Sequence, residues 1–354
     1  MKKAFAKKLS VLLALTTAVT MLLPAAASAE SKFRMTWYNV GAGDCACIQF
    51  PNGKTAVIDA GTQKRGRTVA GKMKKKGIET IDYLISSHPD ADHCGGMTAM
   101  FASFQVKNFY YPDDAPYDTR TARSVIAAAD REPGCQKIHP QRGTVIREGG
   151  ATVKFVQADR NYSTDNEDSL IEYIHYGRLD ILTCGDAEKG AEKAAERHNV
   201  DILELPHHGS RYSTSAGFIR RFDPERVVVS TDGHKYGHPN KAVFSRLKAY
   251  DRHIKVYRTD KKGDITAAAT RTGWTMSKSG VNVSKYVKKV HHTKHKHKKK
   301  KRHPSRSGRY VYITPSGSKY HKRSCPTLSR SRHLTKLTRA QAKRKGYKAC
   351  KVCF

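Results

Sequence analysis

Acidic residues are scarce in this chain of 354 residues. It contains 31 Asp and Glu against 66 Lys and Arg, so its formal net charge is +35 at pH 7. A chain this basic favours a polyanionic partner, such as nucleic acid or an anionic cell surface. Residues 281–354 contain no Asp or Glu at all but 24 of the Lys and Arg. Apart from a lysine-rich start, the rest has the charge balance of an ordinary globular enzyme.

Long hydrophobic runs are also rare. The one clear run is Leu9–Leu23, which follows the lysine-rich start and precedes Ala27-Ser28-Ala29. This pattern predicts a secretory signal over residues 1–29 and a secreted chain without a transmembrane segment after cleavage. A membrane anchor is the alternative, but the run is shorter than the roughly 20 residues that a spanning helix needs.

Aromatic residues make up only 8% of the chain, yet 38% hydrophobic residues are sufficient for a core and exclude disorder throughout. Short β-rich runs alternate with helical stretches, which predicts a layered α/β or α+β domain over residues 30–280. A hairpin of Glu172–His175 with Asp180–Thr183 argues against a purely parallel sheet. The predicted strands are Phe33–Val40, Ala46–Phe50, Thr55–Asp59, Asp82–Ser87, Ala151–Gln157, Leu170–His175, Asp180–Thr183, Asp201–Leu205, Arg226–Ser230 and Ile254–Arg258. The predicted helices are Thr68–Lys75, Gly96–Ala102, Arg120–Ala129, Glu188–Glu196, Gly217–Arg221 and Lys241–Ala249.

A dense group of metal-ligating residue types follows the strand predicted over Asp82–Ser87. It reads His88-Pro89-Asp90-Ala91-Asp92-His93, and its spacing lets His88 and Asp90 face one ion while Asp92 and His93 face another. A polar surface loop is the alternative, but four ligand types in six residues at a strand end rarely occur by chance.

Three more candidates follow later strands. Asp186 could bridge the two ions, although Gly-Asp is also a common turn. Pro206-His207-His208-Gly209-Ser210 places a histidine pair at a strand end, and the choice between the two as ligand is nearly even. His238 precedes Pro239 and is either near the reaction centre or a loop residue packed on the sheet.

Taken in order, the motifs resemble those of the metallo-β-lactamase-fold hydrolases, and within them the ComEC-like competence hydrolases. The resemblance covers about residues 33–277. The motifs are Val40-Gly41-Ala42-Gly43-Asp44, Ile58-Asp59-Ala60-Gly61, Ser87–His93, Asn166-Glu167-Asp168-Ser169-Leu170, Gly185-Asp186, Pro206–Ser210 and Tyr236-Gly237-His238-Pro239. The resemblance implies an α/β fold, an αββα four-layer sandwich, and metal-assisted hydrolysis without a covalent enzyme intermediate.

The resemblance also implies roles for individual residues. The implied ligands of two divalent ions are His88, Asp90, Asp92, His93, Asp186 and His207. His208, His238 and Asp92 are implied at the reaction centre, with the two histidines as proton donor or phosphate contact, and Asp44, Asn166, Ser169 and Ser210 as substrate contacts. Asp90 stands where the superfamily usually has histidine, and a carboxylate there moves the preference from Zn²⁺ toward Mn²⁺ or Mg²⁺. The superfamily's separate third histidine is missing, and the segment from Asn166 to Ser169 stands in its place.

A second ligand set lies near the end of the chain. His321 and Cys325, followed by Cys350 and Cys353, predict one structural zinc in a module over residues 309–354. Disulfides are the alternative, but three cysteines cannot pair among themselves. The segment distantly resembles the metal-binding domain of the Ada repair protein. Residues 281–308 are rich in Lys and His and predict a solvated basic linker.

Five further cysteines precede the linker, an odd number, so at least one is free, metal-bound or paired between molecules. Cys94 and Cys184 flank presumed ligands and form either a local disulfide or two buried, inert thiols.

Three functions remain open from the sequence. The first is a secreted, metal-dependent nuclease that acts on DNA and holds the polymer with its basic tail. The second keeps the chemistry but acts on a cell-wall or small-molecule phosphodiester, with the tail attached to the anionic wall. The third is a non-catalytic DNA-binding protein on a hydrolase scaffold.

Overall fold

The fold divides into two compact units. The computed structural model describes residues 32–113, 115–158, 164–287, 310–323, 325–329, 331 and 333–354. The larger unit ends at Lys289 and the smaller begins at Val290. The predicted signal, residues 1–29, and most of the predicted linker lie outside the described residues.

The larger unit is built from strands β1–β18 and helices α1–α7. The strands are β1 Phe33–Trp37, β2 Ala46–Gln49, β3 Thr55–Ile58, β4 Thr80–Ile81, β5 Tyr83–Ile85, β6 Gln105–Val106, β7 Asn108–Tyr110, β8 Gln136–Ile138, β9 Val145–Glu148, β10 Ala151–Gln157, β11 Ile171–Tyr176, β12 Leu179–Thr183, β13 Ile202–Glu204, β14 Arg226–Val229, β15 Lys255–Arg258, β16 Ile265–Ala269, β17 Trp274–Met276 and β18 Val281–Asn282. The helices are α1 Gln63–Lys75, α2 Met97–Phe101, α3 Arg120–Arg131, α4 Lys189–Ala194, α5 Ala216–Phe222, α6 Lys241–Tyr250 and α7 Thr259–Lys262.

Two eight-stranded sheets carry most of these strands. The first has the order β17-β16-β1-β2-β3-β5-β7-β8 and the second the order β18-β15-β14-β13-β12-β11-β10-β9. Each sheet is antiparallel on one side and parallel on the other: β3, β5, β7 and β8 run parallel in the first, and β12, β13, β14 and β15 in the second. The predicted hairpin is present as β11 and β12, with Ile174 opposite Ile181.

The core lies in three layers between the helices and the sheets. Alternation along the strands divides the side chains between the two faces of each sheet, as Ile181 packs between the sheets and Leu182 packs against helices. The inter-sheet layer joins Trp37 of the first sheet to Phe155 of the second. Helices α1, α2 and α3 cover the outer face of the first sheet, and α4, α5 and α6 cover that of the second. The predicted αββα sandwich is therefore confirmed.

The parallel halves of the sheets position the candidate site. In a parallel sheet the carboxyl ends of the strands lie at one edge, so the loops that follow them meet there. The loops after β3 and β5 carry Asp59 and His88, and those after β12 and β13 carry Asp186 and His207. Side chains separated by more than 100 residues in sequence thus reach one place.

The smaller unit has two short sheets and one helix. Its elements are β19 Tyr310–Ile313, β20 Lys319–Tyr320, β21 Thr335–Thr338, α8 Arg339–Arg344 and β22 Lys348–Ala349. Strands β19 and β21 pair antiparallel, and β20 and β22 pair parallel. Helix α8 begins with a capping box in which Thr338 and Gln341 exchange side-chain and backbone hydrogen bonds. Its apolar clusters are small, with four buried residues each.

All eight cysteines are free thiols. Cys94 and Cys184 are buried, in agreement with the interpretation as inert side chains. Burial, with the nearby charge of Asp59, raises the pKa of the Cys94 thiol to about 12, so the thiolate does not form near neutral pH. Among the described residues, no helix has the length and apolar character to cross a bilayer.

Candidate metal centres

The histidines and carboxylates after the strand ends converge around Asp186. This residue is 3% exposed, and its backbone N–H donates to Ser169 Oγ at 3.1 Å. Its two carboxylate oxygens face different neighbours. Oδ1 lies 3.2 Å from His93 Nε2 and 3.7 Å from His208 Nε2, whereas Oδ2 lies 4.0 Å from His88 Nε2 and 3.5 Å from His207 Nε2. Asp186 therefore has the position of a bridge between two ligand groups.

The first ligand group combines His88, Asp90 and Asp186. Their ligand atoms all lie within 4.8 Å of one another. His88 Nε2 is 3.6 Å from Asp90 Oδ2. This group has the His/Asp pair that the sequence assigns to one ion.

The second ligand group combines Asp44, His93, Asp186 and His208, all four buried. His93 Nε2 lies 3.3 Å from His208 Nε2, and Asp92 Oδ2 lies 3.6 Å from the same His208 atom. Asp44 Oδ1 approaches His208 Nδ1 to 3.2 Å. The sequence analysis gave Asp44 the role of a substrate contact, whereas the structure places it among the potential ligands.

The carboxylate of Asp59 orients one histidine in each group. His93 Nδ1 donates to Asp59 Oδ2 at 2.9 Å, and Ser87 Oγ donates to the same carboxylate oxygen at 2.6 Å. Ser87 Oγ lies 3.0 Å from His88 Nδ1 and can accept its proton. Both rings thereby direct Nε2 at the centre, the arrangement in which a histidine carries a metal ion. The sequence analysis quoted Asp59 as part of a motif but assigned it no role.

Histidine protonation and carboxylate charge are strongly coupled at this centre. Burial by itself lowers the pKa of His93, but Asp186 and Asp59 hold it well above its ordinary value. Burial would raise the pKa of Asp186, but the charges of His93 and His208 keep it well below its usual range. Asp92 shows the same balance, with its pKa lowered by His208 and His93 against the effect of burial. So many buried carboxylates need nearby positive charge, which divalent cations provide.

Three buried polar atoms at the centre make no hydrogen bond within the described part of the chain. They are His88 Nε2, Asp44 Oδ1 and Asp186 Oδ1. Buried polar atoms are nearly always paired, and these three point to the two ligand groups. The donor set of imidazole nitrogens and carboxylate oxygens suits Zn²⁺, Mn²⁺ or Mg²⁺. The residues present therefore fit two divalent cations.

The histidine pair takes both roles that the sequence left open. His208 belongs to the buried second group, and its Nδ1 lies 3.1 Å from the carbonyl oxygen of Ser230, which leaves Nε2 for the centre. His207 is on the Asp186 Oδ2 side, and its Nδ1 lies 3.4 Å from Glu188 Oε1. Both residues have left-handed backbone angles, with φ of 54° and 52°. This placement favours ligation by His208 over the proton-donor role.

The remaining predicted residues lie at different distances from the centre. Asn166 Nδ2 is 3.5 Å from His207 Nδ1. Ser169 and Ser210 are buried: Ser169 Oγ supports Asp186 from behind, and Ser210 Oγ accepts from the backbone N–H of Tyr212 at 3.4 Å. The structure thus places these two serines as supports of the loops rather than on the open side.

His238 lies on the open side of the centre. Its ring centroid is 5.4 Å from that of His207, and it lines a small cleft together with Asp92 and His208. Burial, together with the charges of His207 and His208, lowers the pKa of His238. Its Nδ1 is buried and has no hydrogen-bond partner among the described residues.

Two glycines allow the loops to approach so closely. Gly43 has φ of 138°, and a Cβ there would meet the carbonyl oxygen of Asp92 at 2.3 Å. Gly185 has φ of 45°, and a Cβ there would lie 2.7 Å from Ser87 Oγ. Any larger residue would displace Asp92 or the Ser87 bridge to Asp59.

The smaller unit contains the second predicted cluster. The ligand atoms of His321, Cys325, Cys350 and Cys353 lie within 4.8 Å of one another. Cys325 Sγ and Cys350 Sγ are 3.9 Å apart. Thiolates bound tetrahedrally at about 2.3 Å are separated by roughly 3.8 Å, whereas a disulfide joins its sulfurs at about 2 Å. The cluster therefore fits a tetrahedral Cys₃His metal site.

Sequence comparisons identify the family of the larger unit. The Metallo-beta-lactamase superfamily profile matches residues 38–234, more than half of the chain. The chain belongs to the metallo-beta-lactamase superfamily. A solved structure described as a metallo-beta-lactamase fold protein, YhfI from Bacillus subtilis, is similar with a TM-score of 0.46 and 12% identity, and the match covers 67% of this chain and 100% of that chain.

Curated relatives within this superfamily are competence proteins. ComE operon protein 3 of Bacillus subtilis is 29% identical over 54% of this chain and 25% of the relative. Competence protein ComA of Neisseria gonorrhoeae is 26% identical over 69% of this chain and 33% of the relative. Recombination protein 2 of Haemophilus influenzae is 27% identical over 60% of this chain and 26% of the relative. The chain thus matches a third or less of each relative, and the resemblance to the ComEC-like competence hydrolases is confirmed.

Proposed function

We propose that the chain is a secreted, metal-dependent phosphodiesterase that hydrolyses nucleic acid, with DNA as the favoured substrate. The observation that carries the proposal is the position of Asp186 between two groups of His and Asp side chains. Pairs of divalent ions at such sites neutralise phosphate oxygens and lower the pKa of the attacking water. The chain's residues hold the ions, orient the ligands and shape the cleft.

The chemistry of the first group supports a hard cation. Asp90 provides an oxygen ligand beside His88, and Asp186 provides another. Oxygen ligands favour Mn²⁺ or Mg²⁺ more than an all-histidine set does. We propose Asp92, His93 and His208 as ligands on the opposite side of Asp186.

His238 is suited to a phosphate contact. Its unpartnered Nδ1 lies in the small cleft beside Asp92. A ring nitrogen in that position can donate a hydrogen bond to a phosphate oxygen or a proton to the leaving oxygen. The lowered pKa of His238 favours the neutral ring before substrate binds.

Two observations support DNA as the polymer. Residues 281–354 carry many Lys and Arg and no acidic residue, so they can bind phosphates without reading sequence. The curated relatives carry names that refer to competence and recombination, processes in which bacteria handle DNA. We propose that the smaller unit retains the polymer while the larger unit cleaves it.

The test is cleavage of plasmid and single-stranded DNA by the purified mature chain, with Mn²⁺, Mg²⁺ or Zn²⁺ added back after chelation. Asp92→Ala is the inactive variant. Asp130→Ala, in an exposed ion pair with Lys137, is the matched control. Metal-restored cutting by the wild type and the control, but not by Asp92→Ala, supports the proposal and identifies the preferred ion.

Other outcomes distinguish the remaining functions. Cutting that persists in Asp92→Ala comes from a contaminant and contradicts the proposal. Hydrolysis of purified cell wall but not of DNA supports the wall phosphodiesterase. Salt-dependent retention on DNA without cutting under any metal supports the binding protein.

A further inference from the structure

Tyr236 is a large side chain in an unusually exposed place. It is 78% exposed, the highest value among the large hydrophobic side chains of the described residues. It lies in the turn Lys235–Gly237, between β14 and α6. No part of the metal centre described above requires an aromatic ring there.

The backbone at Tyr236 is also strained. Its φ is 54°, in the left-handed region that residues with a Cβ rarely adopt. Glycine or asparagine would occupy this position at a lower free-energy cost. A strained residue with little packing of its own is typical of functional positions.

The position of Tyr236 connects it to the reaction centre. It lines the same small cleft as Asp92, His208 and His238. Its ring centroid is 6.3 Å from that of His238, which in turn is 5.4 Å from that of His207. A row of rings therefore leads from solvent to the side chains around Asp186.

We propose that Tyr236 is a specificity-determining residue that stacks on an unpaired nucleobase next to the scissile phosphodiester. The proposal rests on the proposed function and narrows its substrate to single-stranded or locally opened nucleic acid. Aromatic side chains bind bases of any sequence because every base has a π face. A base on Tyr236 places its attached phosphate toward His238 and the ligand groups.

The stacking surface differs from that of the other exposed tyrosine in the larger unit. Tyr212 carries the Arg211 guanidinium over its ring at 4.9 Å, and its hydroxyl accepts a hydrogen bond from Arg211 at 3.0 Å. Tyr212 does not line the cleft. It is therefore the matched control: an exposed tyrosine whose loss leaves the cleft unchanged.

The test couples the residue to the base. Two single-stranded oligonucleotides carry one phosphodiester each, with methylphosphonates at all other linkages, and differ only in whether the two flanking nucleotides have bases or are abasic. Wild type, Tyr236→Ala, Tyr236→Phe and Tyr212→Ala are compared as full chains with the preferred metal. For the wild type we expect kcat/KM to be roughly 10-fold higher with bases than without, mainly through a lower KM.

The variants decide the assignment. Tyr236→Ala should cleave both oligonucleotides equally, at the rate that wild type shows on the abasic one. Tyr236→Phe and Tyr212→Ala should keep the full preference for bases. An unchanged preference in Tyr236→Ala overturns the stacking role while leaving the nuclease intact. Failure of wild type to cleave any DNA with any metal overturns the proposed function, and the stacking role with it.

Discussion

The two ligand clusters of this chain differ in both chemistry and support. The cluster around Asp186 uses carboxylates and histidines and lies at the edge of two eight-stranded sheets. The cluster of the smaller unit uses three cysteines and one histidine and lies beside apolar clusters of only four buried residues each. Oxygen and imidazole ligands suit catalytic divalent ions, whereas soft thiolates hold zinc firmly.

This difference separates what each metal would do. The larger unit has three extensive apolar layers, so its fold is stabilised largely by burial of apolar surface. The smaller unit has too little core for independent stability and needs a covalent or metal constraint. We therefore expect metal removal to abolish activity in one unit and structure in the other.

The largest expected effect is the loss of structure in the smaller unit. Cys350→Ser, or chelation of the wild type, should remove amide protection from residues 310–354 while the larger unit stays folded. Structural zinc contributes about 10–16 kcal/mol in small zinc-binding domains. Hydrogen exchange followed by mass spectrometry measures both units in one sample.

Cys135→Ser is the matched control, because Cys135 is a half-buried thiol of the larger unit outside both clusters. It should leave the protection of residues 310–354 unchanged. Full protection in chelated Cys350→Ser would show that the small unit folds without metal and would remove the contrast.

Ending the chain at Val287 should weaken capture more than chemistry. We expect affinity for DNA to fall about 100-fold at low salt, since each lost phosphate contact also lowers the salt slope by about 0.9. Hydrolysis of a short phosphodiester should remain close to wild type. Affinity measured at several salt concentrations, beside turnover of the short substrate, checks both statements.

A charge variant separates the fold of the smaller unit from its charge. Replacing Lys343, Arg344 and Lys345 with Gln keeps the four metal ligands and removes three cations. This variant should show a reduced salt slope with intact amide protection. An unchanged slope in both constructs of the chain would place the polyanion surface on the larger unit.

The smallest of these effects concerns the orientation of the histidines. Asp59→Asn should weaken metal binding about 10-fold to 100-fold, because Asp59 orients His93 directly and His88 through Ser87. Ser87→Ala should have a smaller effect, confined to His88. Calorimetric titration with Mn²⁺ measures the affinity and the number of sites.

Asp82→Asn is the control for that prediction. Asp82 is a buried carboxylate that accepts hydrogen bonds from Thr55 and Lys107, outside both ligand groups. Equal losses in Asp59→Asn and Asp82→Asn would assign the effect to general destabilisation.

Local patterns explain which elements were predictable. The hairpin of β11 and β12 and helix α6 have clear periodicity, and each lies within two residues of its predicted bounds. Strand β16, Ile265–Ala269, was not predicted, because its three alanines have low strand propensity. Its pairing with β1 and the burial of Ala267 and Ala269 in the inter-sheet layer make it a strand.

The sequence alone determined the fold family and the types of ligand available. His88, Asp90, Asp92 and His93 lie within six residues after one strand, so their proximity follows from local geometry. Tertiary structure decided how distant side chains combine: Asp44 with His208, Asp59 with His93, and Asp186 between His88 and His93. These contacts span 34 to 164 residues, and only the packing of the two sheets brings their strand ends to one edge.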